Sequence, residues 1–93
     1  MVYAGTAVEF ERDEANEGHI ARHGITPEEA EEALEDPRRI GVPAYDADIE
    51  RRAILGATID GRVLFVVFTI RRGRLRVVAA RDATTTQRRR YRR

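Results

Sequence analysis

Cysteine, tryptophan and lysine are all missing from this 93-residue chain. Without cysteine, neither disulfides nor a thiolate zinc site can hold the fold, so its stability must come from packing and from any partner. No apolar run approaches the roughly 20 residues of a membrane helix. Met1 to Phe10 also lacks a basic region followed by an apolar stretch, so neither secretion nor membrane insertion is expected and the cytoplasm is the predicted compartment. A chain of this length predicts one domain over residues 1–93, which buries roughly 60 to 65% of the surface its unfolded form exposes. The absence of lysine makes all 17 cations arginine. A planar guanidinium fork matches phosphate and carboxylate geometry and stays charged, so such a cationic face suits anion recognition. An arginine-favouring genomic composition is the plainer reading of the same fact.

The charge is also divided along the chain. Residues 9–36 carry eleven Asp or Glu against two Arg, and residues 71–93 carry ten Arg against Asp82 alone. The two blocks nearly cancel to a net charge of +1, which conceals a strongly basic C-terminal end.

The pattern predicts an α+β fold with two N-terminal helices, a three- or four-stranded antiparallel sheet and a C-terminal helix. Val8 and Phe10 alternate with Glu9 and Glu11, as in a short edge strand. The first helix is expected from Asp13 or Glu14 to His23, stopping at Gly24, a left-handed cap. Thr26-Pro27-Glu28-Glu29 is a capping box with proline at the first helical position, opening a second helix that ends near Asp36-Pro37. Its crowded glutamates call for a cation nearby. Residues 38–49 read as a connecting loop. A strand from about Arg51 to Ile59 then meets Asp60-Gly61, a strong hairpin signal. Arg62 to Arg71 is almost continuously apolar, as in a central strand covered on both faces. Arg72-Gly73 makes the next turn. Leu75, Val77 and Ala79 alternate with Arg74, Arg76 and Val78 in a third strand ending at Arg81. Thr84 to Gln87 is a second capping box, starting a terminal helix through the arginine run.

Four stretches in register resemble the BrnT-type toxins. These are Asp13 with Asn16 to Glu29, closing at Asp36-Pro37; Glu50-Arg51 before Ile54 and Gly56; Asp60 to Val67 with Thr69; and Arg76 to Arg81 before Arg88 to Tyr91. The resemblance spans about residues 10–92. It implies a type II toxin: a small ribonuclease of RelE-like fold, neutralised by a ribbon-helix-helix antitoxin. It also implies a hetero-oligomer that meets operator DNA only through the antitoxin complex. Arg12, Asn16 and Ala79 depart from that family's usual tryptophan, lysine and serine. They leave as alternative a degenerate toxin, a non-catalytic basic module binding nucleic acid or antitoxin.

Metal-independent RNA cleavage needs a base for the 2′-hydroxyl, an acid for the departing 5′-oxygen and cations facing the phosphorane. His23 is the candidate acid or base and Glu50 the partner base. Arg81 is the favoured cation, with Arg51 beside it. Arg71, Arg76 and Arg89 are candidate RNA contacts, and Tyr91 offers a ring on which a splayed base stacks. No cofactor or metal is expected. His19 and His23 have zinc-ligand spacing, but Ile20 stands where a zincin motif has its glutamate. Plainer roles exist for each residue: His23 as a helix-terminal cation, Glu50 in a surface ion pair, Arg81 as a bridge to the Glu-rich helix, and Tyr91 as the anchor of the last helix.

Overall fold

The apolar run Val63–Phe68 becomes the middle of the protein because it is buried on both sides of a sheet. The computed structural model describes residues 9–12, 23–44 and 51–92. Within them the elements are helix α1 (Pro27–Glu35), strands β1 (Ile40–Val42), β2 (Arg52–Ala57), β3 (Val63–Arg71) and β4 (Arg74–Asp82), and helix α2 (Thr85–Tyr91). The strands form one antiparallel sheet in the order β1-β2-β3-β4. The first expected helix up to residue 22, including His19, and the start of the expected opening strand lie outside the described residues. Of that strand, Phe10 makes a parallel bridge to Leu75, and Glu9 and Glu11 exchange backbone hydrogen bonds with Leu75 at the outer edge of β4.

The sheet separates two apolar layers, as period-2 alternation requires. Leu64, Val66 and Phe68 of β3 pack with Ile54 and Ala80 beneath Ala30, Ala33 and Leu34 of α1. Val63, Phe65 and Val67 point the other way and pack with Ala53, Leu55 and Ala83, bordered by Tyr91 of α2. Helix α1 lies so close to the sheet that Gly56 of β2 faces the Ala33 backbone with no space for a side chain. Both helices begin with the expected reciprocal capping boxes, Thr26 with Glu29 and Thr84 with Gln87.

The segment read as a loop over residues 38–49 contains a strand. Ile40–Val42 pairs with Ala53–Leu55, although three residues centred on Gly41 and followed by Pro43 carry no periodicity of their own. Pairing with β2 and packing of Ile40 and Val42 on the sheet supply what local propensity does not. Arg72 and Gly73 both have positive φ, 51° and 78°, so the β3–β4 hairpin turns on two left-handed residues, matching strand twist.

Among the described residues, Arg12 and Arg62 supply cations to the acidic helix. Arg12 clasps Glu31 through both Nε and Nη2 at 2.9 Å and reaches Glu28 at 3.4 Å. Arg62 grips both Asp82 oxygens at 2.6 and 3.0 Å and also meets Glu29.

Candidate active site

A β-bulge in β4 determines which side chains meet at the site. Val67 pairs with Ala79 but Phe68 pairs with Val77, leaving Val78 as an extra residue. On a regular strand, Arg76 and Arg81 are five apart and point to opposite faces. With the bulge, Arg76 lies opposite Thr69 and Arg81 opposite Phe65, two β3 residues of the same parity, so both arginines share the face away from α1. Val78 and Ala79 then both border the apolar layer on that side.

Beneath Arg81 is a cavity of about 220 Å³. Phe65 and Val67 of β3 and Val78 and Ala79 of β4 form its apolar floor, and His23, Arg51 and Arg81 reach it from three separate parts of the chain. Arg51 immediately precedes β2 and also borders a wider groove of about 670 Å³ beside β1. His23 stands next to Gly24, whose carbonyl accepts a 3.0 Å hydrogen bond from Arg62 Nη1. Buried Ile25 fixes the other side of that turn. Arg62 thus ties the His23 turn to Asp82 at the end of β4.

The Arg81 guanidinium is held in place. Its Cζ lies 4.3 Å from the centre of the Phe65 ring, within cation–π range. Its Nη1 donates to the Asp82 carbonyl at 2.9 Å and to Gln87 Oε1 at 3.1 Å. Of the four residues proposed for catalysis, three therefore meet at one cavity, while Glu50 lies outside the described residues.

The proposed RNA contacts divide differently. Arg76 is on the same face as Arg81, roughly 13 Å along the strand at about 3.3 Å per residue, and Arg71 lies two residues further along β3, opposite Arg74. Arg89 is exposed on α2. Tyr91 takes the anchoring role: its ring packs on the sheet and its hydroxyl donates to Asp36 Oδ2. The ring is half-buried in this arrangement. Asp36 also accepts from the backbone N–H groups of Arg38 and Ala57, at 2.9 and 2.8 Å, joining α1, β2 and α2.

These contacts set a pH window. Burial raises the Asp36 pKa, but the hydrogen bonds from Tyr91, Arg38 and Ala57 and the Arg38 charge outweigh it and hold it below 3.8. For Asp82 the hydrogen bonds from Arg62 lead, burial opposes them, and the net shift is again downward. Tyr91 is raised above 10.0 by burial, by its bond to Asp36 and by the Asp36 charge. A carboxylate with a depressed native pKa stabilises fully above its unfolded value and loses that contribution as pH falls through the native one; the raised tyrosine stabilises fully below its unfolded value and loses that contribution as pH rises through the native one. Urea midpoints are expected to be flat with respect to these groups between about pH 5 and 9. They should drop below pH about 4, with a shallower acid drop in the Asp82→Asn variant. An equally steep drop in that variant would remove Asp82 from the explanation.

Among the described residues, no helix is long and apolar enough to cross a membrane, and no group of three or more His, Cys, Asp or Glu side chains is arranged to hold a metal ion. A family model described as the ribonuclease toxin BrnT of type II toxin–antitoxin systems matches residues 12–87. The 1.1 Å crystal structure of the Brucella abortus ribonuclease toxin BrnT has the same fold. It is 20% identical, with a TM-score of 0.63 over 85% of this chain and 100% of that one. No curated protein of similar sequence was found.

Proposed function

The chain belongs to the BrnT family of ribonuclease toxins of type II toxin–antitoxin systems, and on that premise we propose that it is itself an endoribonuclease, cutting RNA in the cytoplasm without a metal. The observation that supports this reading best is the meeting of His23, Arg51 and Arg81 over one apolar-floored cavity. In the proposed reaction, Glu50 takes the proton of a ribose 2′-hydroxyl and the 2′-oxygen attacks the adjacent phosphorus. The bond from phosphorus to the 5′-oxygen breaks, and His23 protonates that oxygen as it leaves. The products are a 2′,3′-cyclic phosphate and a 5′-hydroxyl. Arg51 and Arg81 face the non-bridging oxygens, where negative charge grows in the transition state.

In this reading Arg76 and Arg71 follow the RNA backbone away from the cut along the β3–β4 hairpin, and Arg89 adds a contact from α2. The chain acts as a single domain with a fold related to the RelE-like toxins. A ribbon-helix-helix antitoxin neutralises it in a hetero-oligomer, and operator DNA is contacted only through that complex. Expression of the native chain is expected to stop growth of a bacterial host. Co-expression of the antitoxin and the Arg51→Ala, Arg81→Ala double variant should each restore it. Arrest that persists in the double variant would mean that toxicity arises outside this cavity, and the absence of arrest would favour a non-catalytic binding module.

A further inference from the structure

The capping residue of α2 serves two structures at once. Gln87 Oε1 accepts from the backbone N–H of Thr84 at 2.9 Å, closing the capping box, and from Nη1 of Arg81 at 3.1 Å. Thr84 Oγ1 returns the cap by accepting from Gln87 N at 3.1 Å. Of the Gln87 side chain, a capping box requires only the bond to the N-cap backbone. Here the same oxygen also restrains a guanidinium that lies over Phe65 at the cavity rim.

We infer that Gln87 is a positioning residue for Arg81, which makes the first turn of the C-terminal helix part of the RNA-cleaving apparatus. The inference rests on the cleavage function proposed above. A long arginine side chain samples many rotamers, and its effect on a developing phosphorane charge depends on where the guanidinium is fixed. Phe65 fixes its height above the sheet, while the Gln87 oxygen and the Asp82 carbonyl, at 2.9 Å, fix its direction. A group misplaced by about 1 Å costs on the order of a hundredfold in rate. Because the charge that Arg81 meets grows in the transition state beyond the single charge of the bound phosphodiester, loosening it lowers kcat and kcat/KM far more than it changes KM.

Two variants separate positioning from capping. Gln87→Ala removes both bonds of Oε1. Thr84→Ala removes the reciprocal cap and keeps the oxygen that Arg81 uses. With a labelled RNA oligonucleotide cut by the native chain, Gln87→Ala should lower kcat roughly ten- to a hundredfold with a far smaller change in KM. Thr84→Ala should lower the melting temperature but keep kcat within about twofold, and Gln87→Glu, which retains an acceptor, should recover most of the rate. Cleavage abolished by Arg81→Ala but unaffected by Gln87→Ala would overturn this inference alone. So would parallel losses of rate and stability in Gln87→Ala and Thr84→Ala, the mark of a purely structural cap. A native chain that leaves RNA intact, or an Arg81→Ala variant as active as the native chain, would overturn the underlying reading of the site as well.

Discussion

Replacing Arg81 with alanine is expected to reduce RNA cleavage about a hundred- to a thousandfold, the scale of removing one donor that stabilises developing charge in the transition state. The fold should survive. Arg81 contributes a cation–π contact with Phe65 and hydrogen bonds to Gln87 and to the Asp82 carbonyl, at the edge of the core rather than within it. Losing these costs about 1 to 2 kcal/mol, against a total stability of roughly 5 to 15 kcal/mol for a native domain. A thousandfold fall in kcat in a variant that still melts cooperatively, roughly 4 to 16 °C below the native chain, would identify chemistry, whereas loss of cleavage together with loss of the folded state would reduce Arg81 to a structural tie. Arg81→Lys should recover only part of the rate, since an ammonium lacks the fork by which one group meets both Gln87 and a phosphate oxygen.

The largest effect on stability is expected from a change of one methyl group at Gly56. A Cβ there would lie 2.1 Å from the Ala33 carbonyl oxygen and 2.9 Å from its carbon. Those atoms belong to the α1 backbone, so relief requires the helix to move off the sheet. That displacement would loosen the packing of Ala30, Ala33 and Leu34 over Ile54 and Leu64. Overpacking of this kind costs typically 1–3 kcal/mol, and a backbone clash belongs at or above the top of that range. At about 4–8 °C per kcal/mol for a domain of this size, Gly56→Ala should melt at least roughly 12 °C below the native chain. Gly41 is the control. Nothing lies within 4 Å of its Cβ position, so Gly41→Ala should stay within about 0.5 kcal/mol of native. Equal melting temperatures for the two variants would contradict the close approach of α1.

Much of this architecture was legible in the residues because local chemistry and global fold agree. Val63–Phe68 had to be covered on both faces, Asp60-Gly61 had to turn, and Thr26 with Glu29 and Thr84 with Gln87 had to cap the helices that follow them. Strand β1 was not legible, since Ile40–Val42 gains its conformation from β2 and has no period of its own. The orientation of Arg81 was hidden for a sharper reason. Strict alternation along β4 places Arg81 with Leu75 and Val77, on the face covered by α1. Only the extra residue at Val78 turns it toward His23 and Arg51, and nothing in the run Val77-Val78-Ala79-Ala80 marks where a bulge will fall. Candidate residues could therefore be chosen by chemical type, while their convergence depended on a pairing irregularity and on the Arg62 clasp that draws Gly24 toward Asp82. For Tyr91 both roles were open in the sequence, and its bond to the Asp36 carboxylate supplies the anchor.

The cavity of His23, Arg51 and Arg81 as a metal-independent RNA-cleaving centre is tested most directly by incubating the purified native chain with total RNA in EDTA and mapping the ends produced. Discrete cuts bearing a 2′,3′-cyclic phosphate upstream and a 5′-hydroxyl downstream are the predicted result. RNA left intact at high protein concentration, or cuts abolished by EDTA, would contradict it.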